Sequence, residues 1–232
     1  MRNSRGNWAT VAALALAAGR AWGAAEILAD ESVPRLRWAS AELRAALETA
    51  GHAVVARPPA ELSAPVNATG TLRVVVASGT GDTARVAASL GVAAAKSAAP
   101  QAYSIRRLAT SMGTVLAVLG ADTAGAMYGM LDLAEAAGHG RLDIVGDSDH
   151  APFIERRGIK FNAPLDVRTP SYSDCGDAAQ ANIPEMWSVD FWRAFLDAMA
   201  RHRFNTLTLW NLHPFPSIVK VPGFLDVALD DV

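Results

Sequence analysis

The chain has 232 residues, a formal net charge of -2 and an apolar fraction of 51%. That length allows one large domain or two small ones, and the apolar fraction is sufficient for an ordinary globular core. The near-neutral charge without a basic run argues against nucleic acid as the main partner. The single cysteine, Cys175, excludes an internal disulfide. Because no histidine forms a recognised motif with it, we interpret Cys175 as an incidental thiol rather than a nucleophile.

Residues 1–23 have the pattern of a signal peptide. Arg2 and Arg5 make the start positive, an apolar stretch covers 11–18, and small residues flank Trp22 at a cleavage site before Ala24. The apolar stretch is too short for a permanent membrane span. We therefore expect an exported protein, periplasmic or extracellular, although an ordinary amino-terminal helix is the alternative interpretation.

Residues 24–150 are predicted to form an α/β domain. Pro34 at a first helical turn, Asp82 and Asp122 as N-caps, and glycines after the helices mark the element ends. We predict strands over 26–30, 53–56, 72–77, 102–107 and 114–119, and helices over 34–50, 83–90 and 123–137. The last two strands are joined by a turn and predict an antiparallel hairpin. The expected result is a mixed sheet with flanking helices.

The third predicted helix contains two glycines four residues apart, Gly125 and Gly129. Each glycine costs about 1 kcal/mol of helix propensity relative to alanine. Because glycines at this spacing share one helical face, we expect them to allow close packing against a sheet or a neighbouring helix. A helix end is predicted at Gly138, and no phosphate-binding glycine loop is present.

The polar stretch 147–152 is interpreted as the joint between two domains. Its aspartates and histidine could bind a metal, but their spacing matches no recognised ligand set, and turn formation explains the same residue types. We predict no metal site and no cofactor.

Residues 154–216 have the pattern of a β-α-β unit. Predicted strands cover 158–162 and 205–210, and a helix between them starts at Ser188, whose hydroxyl can cap the first turn. In this amphipathic helix, the residues Phe191, Phe195, Met199 and His202 fall on one side at helical spacing, with Ala198 beside them. A β-α-β unit implies two parallel strands joined by a right-handed crossover.

Polar residues follow both of these predicted strands. The candidate substrate-binding residues are Asn162, Asp166, Arg168, Trp210, Asn211 and His213. In a parallel α/β sheet or barrel, the carboxyl ends of the strands share one face, and that face holds the site. An indole beside an amide and an imidazole suits a sugar, whose apolar ring face and hydroxyls they can contact. The alternative is that Trp210 packs and the polar groups cap a loop.

Three segments resemble α-glucuronidases and related glycoside hydrolases, including β-N-acetylhexosaminidases. They are GADTAGAMYGMLDLAE (120–135), ERRGIKFN (155–162) and HRFNTLTLWNLHPFP (202–216). The first is similar to a motif of the amino-terminal α/β domain of those enzymes. The other two resemble the first two strands of their (β/α)8 barrel, the second with its loop.

The resemblance implies an exported glycoside hydrolase acting on plant polysaccharide or another glycan through paired carboxylates. Residues 24–150 would be the accessory domain, and 151–232 the start of an incomplete catalytic TIM barrel, which needs roughly 250 residues. The catalytic carboxylates are expected beyond residue 232, so we expect the chain alone to be inactive. The alternative is an exported glycan-binding module without catalysis. The sequence does not indicate the oligomeric state.

Overall fold

The computed structural model describes residues 23–63, 69–162, 184–210, 220 and 222–226. The chain divides into two compact units between Pro152 and Phe153, close to the predicted joint. We call them unit 1 and unit 2. The α/β fold class expected from the sequence is confirmed.

Unit 1 contains a six-stranded mixed sheet with the order β2-β1-β3-β5-β4-β6. Its strands are β1 (Ala24–Leu28), β2 (Ala53–Arg57), β3 (Thr71–Ser78), β4 (Tyr103–Thr110), β5 (Gly113–Gly120) and β6 (Ser148–His150). Its helices are α1 (Pro34–Thr49), α2 (Thr80–Leu90) and α3 (Thr123–Gly138), with short 3-10 helices at Pro59–Ser63 and Leu142–Ile144. Strands β2, β1, β3 and β5 are parallel, whereas β4 is antiparallel to both β5 and β6.

Both faces of the sheet in unit 1 are covered by helices. Along β3, Leu72, Val74 and Val76 contribute to a core that also includes residues of α1 and α3. Val75 and Ala77 contribute to a second core with residues of α2. A parallel strand that is buried on both faces needs a nearly continuous apolar sequence, and β3 has one.

Close packing of α3 through its glycines is confirmed. A Cβ atom at Gly125 would lie 2.1 Å from the carbonyl oxygen of Ala102, and one at Gly129 would lie 2.4 Å from Cγ1 of Val118. Such distances are far below van der Waals contact. The helix can therefore lie this close to β4 and β5 only with glycine at these positions.

The predicted helix ends are correct in part. The Asp122 carboxylate accepts a hydrogen bond from the Gly125 N–H and caps α3, as expected. Asp82 does not cap α2, because that helix begins at Thr80 and its N-cap is Gly79. The helix α3 includes Gly138, and the left-handed residue lies two positions later, at Gly140 with φ +63°.

The stretch predicted to be a joint contains a strand that the sequence did not predict. Residues of β6 pair with β4 in the register Tyr103↔His150, Ser104↔Asp149 and Ile105↔Ser148. Three residues of mixed polarity show no recognisable alternation, so only the pairing partner identifies this strand.

The described part of unit 2 contains two parallel strands, β7 (Gly158–Asn162) and β8 (Thr206–Trp210), with helix α4 (Val189–Arg201) between them in sequence. The Ser188 hydroxyl accepts a hydrogen bond from the Phe191 N–H and caps α4, as predicted. On the predicted apolar side, Met199 is buried and Phe191 and Phe195 are half-buried. The prediction fails at His202, which is exposed at the C-cap, outside the helix, and Ala198 beside this side is exposed too.

Among the described residues, none of the helices is both long and apolar enough to cross a bilayer.

Candidate functional site

The two strands of unit 2 are parallel and lie in the register expected of a β-α-β unit. Asn162 pairs with Trp210 at the last position of the ladder. Both residues therefore lie side by side at the carboxyl edge, which is the edge that carries sites in parallel α/β folds. The parallel arrangement, on which the sequence interpretation depended, is confirmed.

The amino ends of β7 and β8 are held together by the side chain of Asn205. Its Oδ1 accepts from the Arg157 N–H at 2.9 Å, and its Nδ2 donates to the Glu155 carbonyl at 2.8 Å. The backbone N–H groups of Asn205 and Thr206 both donate to the Arg157 carbonyl. Because a slip by one residue would break all of these bonds, Asn205 helps to set the register that brings Asn162 opposite Trp210.

An aromatic cluster packs α4 against β7. The Phe161 ring lies at centroid distances of 6.2, 5.5 and 5.3 Å from Phe191, Trp192 and Phe195, each in an edge-to-face arrangement. The indole N–H of Trp192 donates to the Met186 carbonyl at 2.8 Å. Edge-to-face pairs stabilise beyond their buried area. The strand that ends at Asn162 is thus anchored immediately before its last residue.

The other face of β7 and β8 carries a polar pair that the sequence interpretation missed. Lys160 and Thr208 are register partners and both are exposed, two positions before Asn162 and Trp210. Alternation along a strand puts them on the face opposite Phe161. Lys160, a charged residue inside the short strand GIKFN, was the sequence signal that could have indicated this pair. An ammonium group and a hydroxyl group can both form hydrogen bonds with sugar hydroxyls.

The structure brings together two of the six predicted binding residues. For Asn162 and Trp210 it describes the backbone position, and their side chains lie outside the described part. Asp166, Arg168, Asn211 and His213 also lie outside the described residues. Their roles stay predictions.

In unit 1, buried charges are matched within the sheet. Glu26 in β1 binds Arg73 in β3 at 2.7 Å and Arg57 in β2 at 3.1 Å, and Arg57 also binds Glu61 at 2.9 Å. Hydrogen bonding to Glu61, followed by the charge of Glu26, raises the pKa of the Arg57 guanidinium. The sequence did not predict this network because Glu26 and Arg73 are 47 positions apart.

The aspartates of the predicted joint take part in pairing rather than in turns. Asp149 accepts from the Ser104 hydroxyl at 2.7 Å and from the Arg106 guanidinium at 2.6 Å. These bonds, that of Ser104 first, lower the pKa of the Asp149 carboxyl. The Asp147 carboxylate accepts from the Arg107 N–H. Within the described residues, no group of three or more His, Cys, Asp or Glu side chains could hold a metal ion.

No protein-family model matches the chain, and no curated protein matches it. Among solved structures, the chain is similar to a GH138 enzyme targeting pectin rhamnogalacturonan II, with a TM-score of 0.57 and 20% sequence identity. The match covers 87% of this chain and 26% of that one, so the chain spans about a quarter of the enzyme's length. At this identity the likeness shows the fold, which the chain shares with part of a glycoside hydrolase.

Proposed function

We propose that the chain forms the amino-terminal part of a glycoside hydrolase, with unit 1 as an accessory domain and unit 2 as the first β-α-β unit of a catalytic (β/α)8 barrel. The observation that carries this proposal is the parallel pair β7–β8 with Asn162 and Trp210 as register partners at its carboxyl edge. The fold likeness to a solved glycoside hydrolase supports it. We assign substrate binding to the chain's own residues and no catalytic step.

The proposed substrate-binding residues are those predicted from the sequence: Asn162, Asp166, Arg168, Trp210, Asn211 and His213. The exposed pair Lys160 and Thr208 lies two positions before Asn162 and Trp210 on the strands and adds donors and an acceptor for hydroxyl groups. Segment resemblance favours α-glucuronidase-like chemistry, in which glucuronic acid side groups of xylan oligosaccharides are removed. Two carboxylates would carry out that hydrolysis, one as general acid and one as base or nucleophile.

Export is part of the same proposal. Arg2, Arg5 and the apolar stretch over 11–18 are typical of a signal peptide, and a polysaccharide is met outside the cytoplasm. Expression of the full chain in a bacterial host, followed by mass spectrometry of the periplasmic fraction, should give a mature amino terminus at Ala24. Retention of residues 1–23 in all cell fractions would contradict export.

The decisive experiment is a calorimetric titration of the chain with xylan oligosaccharides that carry glucuronic acid, run beside an assay for released sugar. We expect saturable binding that falls by about 5- to 150-fold in Trp210→Ala, because loss of an aromatic stacking platform costs about 1–3 kcal/mol. Phe204→Ala is the matched control, since Phe204 is an exposed aromatic residue at the opposite, amino end of β8. Equal binding by both variants, or no binding by the wild type, would contradict the proposed site.

A glycan-binding module without catalysis is the second candidate function. The aromatic cluster around Phe161 favours it, because this cluster gives unit 2 packing of its own. Cooperative unfolding of unit 2 together with oligosaccharide binding and no hydrolysis, in the chain and in any longer form of it, would favour the module.

A further inference from the structure

An open cleft of about 340 Å³ lies at the carboxyl edge of the sheet in unit 1. The strands β1 and β2 end at Leu28 and Arg57, which are register partners, and the loops that follow them line the cleft. The volume falls within the range of small-molecule pockets, and the position is the one at which parallel sheets bind ligands.

One residue that lines the cleft, Arg57, carries a fixed donor group. Two of the N–H groups of Arg57 are bound, Nε to Glu26 at 3.1 Å and Nη1 to Glu61 at 2.9 Å. A guanidinium carries five N–H donors in a rigid plane. Because its two carboxylate partners fix that plane, Arg57 loses little further freedom when a ligand binds one of its other donors.

Residues that carry acceptors also line the cleft. Asp30 and Glu31 are among its lining residues, and the Ser32 hydroxyl donates to Oδ1 of Asp30 at 2.6 Å. Pro58 and Pro59 also line the cleft and add rigid apolar surface. A ligand that fits must therefore offer hydroxyl donors to the carboxylates, an acceptor to Arg57 and a C–H surface to the prolines.

The local charge restricts the ligand further. Arg57 is already balanced by Glu26 and Glu61, so Asp30 and Glu31 leave the cleft negative. An anionic ligand would be repelled, whereas a neutral polyol would not be. We infer that this cleft is a binding site for a neutral saccharide, separate from the proposed site in unit 2.

Ligand-observed NMR with three matched sugars tests this inference on the full chain. Galactose, galacturonate and galactosamine share most of one scaffold, and we expect saturable binding of galactose with at least tenfold weaker binding of galacturonate. In the double variant Asp30→Asn, Glu31→Gln, galactose affinity should fall about tenfold, the size expected for losing charge-assisted hydrogen bonds. Asparagine keeps the acceptor that the Ser32 bonds require. The control is Glu48→Gln, since Glu48 is exposed at the end of α1.

Trp210→Ala separates this site from the one in unit 2. Galactose binding that survives Trp210→Ala but is weakened in the double variant supports the cleft. Binding that is lost in Trp210→Ala and unchanged in the double variant belongs to unit 2 and overturns the inference. It is also overturned by galacturonate binding as tightly as galactose, or by the absence of galactose binding, including the case in which galactosamine alone binds because of its charge.

Discussion

Unit 1 and unit 2 bury their apolar residues to different degrees. In unit 1, strands such as β3 are covered on both faces, and a buried arginine in that strand is matched by Glu26. In unit 2, α4 covers Phe161 of β7, while Leu209 of β8 is 51% exposed and Leu196 of α4 is 48% exposed. Unit 1 is thus stabilised by packing on both faces of its sheet. The described part of unit 2 depends on one aromatic cluster and on the hydrogen bonds of Asn205.

The largest effect should come from the buried charge network of unit 1. Glu26→Gln would remove the carboxylate charge that binds Arg73, whose side chain is 5% exposed. Removing one partner of a buried ion pair costs about 3–5 kcal/mol. Chemical denaturation should show this loss. The matched control is Asp190→Asn in unit 2, where the pair with Arg193 is exposed and should contribute less than about 1 kcal/mol. Similar losses in both variants would refute the contrast between the units.

A smaller loss is expected from filling the glycine contact of α3. In Gly125→Ala the new methyl group would meet the Ala102 carbonyl, and overpacking of this kind costs about 1–3 kcal/mol. Gly138→Ala lies in the same helix with nothing within 4 Å of its new Cβ, so it should be neutral or stabilise by up to about 1 kcal/mol. Thermal unfolding of the two variants checks the difference, and a neutral Gly125→Ala would show that α3 can shift away.

The polar clamp of unit 2 gives a local test. Asn205→Ala removes the bonds to Arg157 and Glu155 at the amino ends of β7 and β8, a loss of about 1–2 kcal/mol. Amide hydrogen exchange should become faster in β7 and β8 and stay unchanged in β3 and β5. Asn205→Asp keeps the acceptor for the Arg157 N–H but places an oxygen against the Glu155 carbonyl, so it should also accelerate exchange. Unchanged exchange in β7 would show that the aromatic cluster alone maintains the pairing.

The smallest expected effect is the pH dependence contributed by Asp149. Its pKa is lowered in the folded state by the bonds from Ser104 and Arg106, so its stabilisation is present above the unfolded value of about 4. The stabilisation is lost as the pH falls through the lowered folded-state pKa. An NMR titration should place the Asp149 carboxyl below a typical aspartate, and Ser104→Ala should move its pKa upward. Titration at the ordinary value in the wild type would contradict this assignment.

Sequence patterns of short range were sufficient for most of the fold. The strands of unit 1 that were predicted, the caps Asp122 and Ser188, and the glycine pair of α3 depend on residues within a few positions of one another, and these predictions are confirmed. The β-α-β order of unit 2 also followed from the sequence, because a helix of that length between two strands implies parallel pairing.

Contacts between distant residues required the tertiary structure. Only the fold shows that Ser148–His150 completes the sheet, that Glu26 meets Arg73, and that the loops after β1 and β2 enclose a cleft. The register that pairs Asn162 with Trp210 also required the tertiary structure. It depends on the hydrogen bond between Asn205 and Arg157, which are 48 positions apart in sequence. Local sequence preferences do not identify such partners, because the contacts between them form only after the chain has folded.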